Sequence, residues 1–73
     1  MTIKLSLAER RAAFEVVTLY WTPPMAAPLR AALLADQPLS ESQFELVREA
    51  ARIEESRSLS LDNALALRVL LAR

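Results

Sequence analysis

The chain has 73 residues, 53% of them apolar, with nine basic residues balanced by nine acidic ones and no cysteine, histidine or glycine. These totals exclude a disulfide framework, the usual zinc sites, thiol or imidazole catalysis and every glycine-built phosphate or dinucleotide loop. The even charge leaves no basic surplus for nucleic acid or an anionic membrane.

A domain this small gains barely more from burial than it loses in chain entropy, so it needs well-packed helices or a second subunit. Alanine and leucine dominate, β-branched residues are few, and Asn-Gly hairpin turns cannot occur without glycine; the composition is that of an all-α protein. Lys4 is the single lysine among the nine basic residues. Such arginine usage suits a GC-rich bacterial or phage genome.

The start, "MTIKLSLAERR", has neither the basic stretch nor the apolar run of a signal peptide. The long apolar stretch near the other end is interrupted by Arg68 and falls short of the roughly 20 residues that cross a bilayer. A cytoplasmic protein with no membrane partner is expected. "TIKLSL" alternates and could form a short edge strand.

Ser6 and Glu9 fit the capping box S-x-x-E, which places a helix start at Leu7. Its apolar members Phe14, Val17 and Trp21 recur at three- and four-residue steps, widened by Val16, Leu19 and Tyr20, with Glu9, Arg11 and Glu15 lying away from the stripe. Thr22 precedes Pro23, so the helix should stop by Trp21. "TPPMAAP" then reads as a stiff bend, with Pro28 at the first position of a short second helix. The alternative is a helix continuous from Pro23, in which Pro28 would remove an interior hydrogen bond.

"LSESQF" carries three agreeing signals: Ser40 as cap, Gln43 closing the box, and Leu39 facing Phe44 as a hydrophobic staple. The helix that follows is two-faced, with Phe44, Leu46, Val47, Ala50, Ala51 and Ile53 on one half. Three i,i+3 pairs line the other: Glu45 with Arg48, Glu49 with Arg52, and Glu54 with Arg57. After a serine-rich turn, Ser60 caps the last helix and Asp62 sits in its first turn, where the dipole favours a negative charge.

"LSLDNALALRVLLAR" has apolar residues pointing almost everywhere. A helix of that kind is normally central to its structure. Neighbouring helices can cover two of its sides, which leaves one bare unless a second copy closes it. The expected fold is therefore a single all-α domain over residues 1–73. It is a small bundle of three to four helices, at about 7–21, 28–36, 41–57 and 61–72. It ends in an αα-hairpin and forms an intertwined or side-by-side homodimer. The candidate dimer residues are Leu61, Leu65, Leu67, Val69, Leu70 and Leu71.

No catalytic residue, metal ligand or cofactor is expected, and no enzyme activity. Glu41, Glu45 and Glu49 read as a solvated ladder rather than a paired acid and base. Two partner-binding candidates stand out. Tyr20, Trp21 and Met25 are side chains enriched at interface centres, on a proline-stiffened segment, although they could equally plug the core. Arg48 and Arg52 alternate with acidic neighbours, a mixed-charge face that suits a protein partner better than phosphate, or is simply solvated. The leading expectation is a protein–protein interaction module, acting as regulator, inhibitor, anti-activator or adaptor on a larger protein.

The stretch from Phe44 to Arg73, "FELVREAARIEESRSLSLDNALALRVLLAR", resembles the two-helix part of ribbon-helix-helix regulators and antitoxins: an amphipathic helix, a short "RSLS" turn, then an apolar helix packed across a dimer. The resemblance implies a shared-core dimer and, as the alternative function, DNA binding. In that family a short alternating strand just before the first helix reads the major groove. Here that place is "LADQPLS", where Pro38 would break the ladder and no Arg or Lys points outward.

Overall fold

Three capped helix starts and one proline-rich bend set the path of the chain. The computed structural model describes residues 2–54 and 59–73. In chain order these form β1 (Thr2–Ile3), α1 (Leu7–Tyr20), α2 (Pro23–Leu34), β2 (Leu39–Ser40), α3 (Glu41–Glu54) and α4 (Leu61–Leu71). The fold is all-α, four helices with a two-stranded ribbon. Among the described residues no helix is long and apolar enough to cross a membrane.

The expected caps form. Ser6 Oγ accepts the Glu9 N–H at 3.2 Å, and Glu9 Oε1 accepts the Ser6 N–H at 2.9 Å. Ser40 and Gln43 repeat the arrangement at 3.2 and 3.0 Å. Ser60 Oγ accepts the Asn63 N–H at 3.3 Å. Each cap satisfies amides that a helix start leaves without partners, typically contributing about 1 kcal/mol. Ser40 also closes the ribbon, in which Thr2 pairs with Ser40 and Ile3 with Leu39 in antiparallel register. Pro38 lies just outside this ladder.

The second helix begins at Pro23 rather than Pro28 and ends at Leu34, two residues before the expected end. Thr22, held extended by the proline after it, becomes the cap, and its carbonyl accepts the amides of Met25 and Ala26. Pro23 and Pro24 occupy positions whose amides have no helical partner in any case. Only Pro28 removes a bond, the one its amide would have made to the carbonyl of Pro24. The helix closes with a Schellman arrangement: the Gln37 N–H reaches the Ala32 carbonyl at 3.1 Å while Asp36 adopts φ 55°. In a chain without glycine, aspartate is one of the few residues that tolerates this left-handed position.

The central helix is α1, not α4. It packs against α2, α3 and α4. Ala12, Ala13, Val16 and Val17 are fully buried there. Two adjacent alanines let neighbouring backbones approach from different sides, which a leucine-rich helix cannot permit. The core is completed by Leu5, Leu29, Leu33, Leu39, Phe44 and Val47, with Leu67 and Leu70 from α4. The apolar half of α3 faces inward as its spacing indicated, except Ile53, which is exposed. Of the three i,i+3 pairs, Glu45–Arg48 forms at 2.9 Å. Glu49 and Arg52 are exposed and form no ion pair among the described residues, and the pair with Arg57 lies outside them.

Candidate interaction surfaces

The α4 helix divides its apolar residues cleanly. Leu67 and Leu70 are fully buried in the chain's own core, so neither has surface left for a second copy, and Leu71 is partly buried. Leu61, Leu65 and Val69 are 74, 48 and 61% exposed. Spaced i, i+4 and i+8, they form a single ridge on the outside of the helix. Half of the expected dimer residues are thus turned to solvent as one row.

A second apolar surface runs between α1 and α2. Leu7, Arg10, Arg11, Phe14, Leu33 and Leu34 line an open groove of about 350 Å³. The guanidinium of Arg30 lies 5.0 Å from the centre of the Phe14 ring, a cation–π contact. The charge of Arg10 is engaged: Nη1 donates to the Leu33 carbonyl at 3.1 Å, and Nε lies 3.2 Å from Asp36 Oδ1. Lys4 Nζ donates to the same Asp36 oxygen at 2.9 Å. This bond from Lys4, aided by the charge of Arg10, holds the Asp36 carboxyl below the usual carboxylate range. The side chain of Arg11, exposed on α1, makes no hydrogen bond or ion pair among the described residues. Chain order gave no sign of this groove, because its walls come from helices joined by the proline bend.

The aromatic candidates are tied inward. The Trp21 indole N–H donates to the Leu46 carbonyl of α3 at 3.0 Å. Tyr20 meets the Trp21 ring edge-on at a centroid distance of 4.8 Å. Both are half-buried against the core, while Met25 stands exposed on the first turn of α2. Arg48 is partly covered, its Nη1 donating to Glu45 and its guanidinium 5.9 Å from the Phe44 ring centre. Arg52 is exposed one turn further on. Trp21 reaches α3 two residues before Arg48; beyond that, the two candidate groups occupy different elements.

Among the described residues two carboxylates lie inside, Glu9 and Glu54. Glu9, expected on the solvent side of α1, is only 3% exposed. Its carboxylate takes two bonds from Arg73, Nε to Oε2 and Nη2 to Oε1, both 2.8 Å, besides the cap bond from Ser6. Arg73 also donates to the Lys4 carbonyl at 3.3 Å. The Arg73 bonds outweigh the opposing effect of burial and, with Ser6, lower the Glu9 pKa from 4.5 to about 2. The bidentate geometry fixes the carboxylate between three donors, which suits a clasp between the two ends of the fold rather than an acid or base. The signal missed in the sequence was the partner, 64 residues away.

Among the described residues no group of three or more His, Cys, Asp or Glu side chains is placed to hold a metal ion. Compared with known proteins, the chain matches no family model, no curated protein and no solved structure.

Proposed function

We propose that this protein is a small non-enzymatic interaction module, a regulator, inhibitor, anti-activator or adaptor that works by docking on a larger protein. The observation that carries the reading is the amount of large apolar side chain turned outward on so short a chain. Leu7, Leu19, Leu34, Leu61, Leu65 and Val69 are all about half exposed or more. Contiguous apolar surface rimmed by polar groups marks interaction sites in soluble proteins. The α1–α2 groove supplies such a surface, with Leu7, Phe14, Leu33 and Leu34 as its apolar lining. The absence of histidine and cysteine removes the commonest catalytic groups and supports the same reading.

The DNA-binding alternative has less support. β2 does lie directly before α3, as the reading strand does in ribbon-helix-helix regulators, but it pairs with β1 of its own chain and spans two residues. Quantitative capture from lysate of the source organism tests the docking reading. One stoichiometric partner should be retained by the native chain and lost by Leu34→Asp at unchanged helical circular dichroism. Capture indifferent to Leu34, Trp21 and Arg48 substitutions would reject all three surfaces. Tight duplex binding with a steep salt dependence in a mobility-shift series would favour the DNA reading instead.

A further inference from the structure

We infer that the α4 ridge is covered by a second copy of this chain, packed antiparallel about a two-fold axis at Leu65. This rests on the interaction-module reading and names the partner for one of the two apolar surfaces, the other being the α1–α2 groove. A standard stable interface takes about 800 Å² from each partner, more than three side chains on one helix supply. The ridge must therefore be joined by its surroundings. Between α1 and α4 lies an open groove of about 480 Å³, with Ala8, Leu65, Ala66 and Val69 as its apolar part and Arg11 and Asp62 among its polar lining. Neither of these two charges has a hydrogen bond or ion pair among the described residues.

Their positions make the patch self-complementary. The last helix runs back along α1: Arg73 clasps Glu9, and Asn63 borders the same groove as Thr18. Arg11 is rooted two residues beyond Glu9, at the level of the second half of α4, and lines the α1–α4 groove with Val69; Asp62 lines the same groove from the beginning of α4. A two-fold axis at Leu65 reverses the second α4, so that its residue 62 comes level with residue 68 of the first. Each Asp62 then arrives beside the other copy's Arg11, and Leu61 comes level with Val69 across the axis. A parallel copy would instead bring Asp62 level with Asp62. Two-fold interfaces require a patch that carries its own complement, and this one pairs oil with oil and cation with anion twice.

Sedimentation equilibrium of the full chain from about 1 to 100 μM, the range in which a micromolar dimer forms, reads the outcome. The native chain should approach twice 8.2 kDa at the upper end. Leu65→Glu should stay at the single-chain mass with unchanged circular dichroism and cooperative melting, because Leu65 is half exposed in the single chain. Arg11→Asp and Asp62→Arg should each weaken the dimer about tenfold by setting like charges together, and the double exchange should recover most of that loss. A native chain at single-chain mass throughout, a dimer that survives Leu65→Glu, or a double exchange no tighter than the single variants would each overturn the inference. The first of these would leave the Leu34→Asp capture result standing as a separate test of docking on a larger protein.

Discussion

Removing the Arg73 guanidinium tests whether the two ends of the fold are held electrostatically. The folded pKa of Glu9 is about 2 against an ordinary 4.5. At 1.36 kcal/mol per unit, the whole shift corresponds to at most about 3 kcal/mol. Ser6 supplies part of it, and the Arg73 side chain is 40% exposed, so solvent screens the pair. We expect Arg73→Ala to cost about 1 to 2 kcal/mol near neutral pH. For a domain of this size that lowers the melting temperature by about 4–8 °C per kcal/mol. The pH dependence follows from the direction of the shift. Because the folded pKa lies below the unfolded one, the stabilisation is fully present above about pH 4.5 and is lost as the pH falls toward 2. Urea unfolding of the native and Arg73→Ala chains at about pH 7 and about pH 2.5 should therefore show a gap that largely closes in acid. Glu9→Gln keeps an oxygen for the Ser6 amide but removes the charge, and combining it with Arg73→Ala should add little beyond either change alone. An equal gap at both pH values, or none at neutral pH, would show that the clasp does not stabilise the fold.

Four further outcomes are expected. Pro28→Ala should stabilise by about 1 to 2 kcal/mol in urea unfolding, because it restores an amide inside α2; no change would mean that the proline's stiffening of the unfolded chain offsets the missing bond. Trp21→Phe should cost about 1 kcal/mol through loss of the indole bond to Leu46, measured by chemical denaturation followed by circular dichroism. Leu70→Glu should abolish cooperative melting by burying an unpaired charge, whereas the same change at Leu65 should leave the fold intact. At position 36, glycine should give a higher melting temperature than alanine: neither keeps the carboxylate contacts to Lys4 and Arg10, but only glycine accepts the left-handed backbone without strain.

Local chemistry was legible from the residues alone. Cap boxes at Ser6 and Ser40, the cap at Ser60 and the two-faced character of α3 depend on neighbours within four positions, and each formed where its spacing indicated. The start of α2 differs from the expected one because two local preferences compete there: Thr22 is forced out of the helix by Pro23, and Pro23 and Pro24 are tolerated because the first helical amides need no partner, at the cost of one bond lost at Pro28. Local rules name both outcomes without weighing them.

What the sequence determined by itself was the class, a small all-α bundle of three to four helices with three starts capped by near neighbours, and the surplus of oil on the last helix. Which helix lies at the centre was decided only in three dimensions, because Ala12 and Ala13 matter for how closely other backbones approach and not for any periodic pattern. The same holds for the sorting of α4 into buried Leu67 and Leu70 and exposed Leu61, Leu65 and Val69, and for the burial of Glu9. An amphipathic stripe reveals its inward side; a helix apolar all round, or a carboxylate whose partner lies 64 residues away, acquires one only from what packs against it.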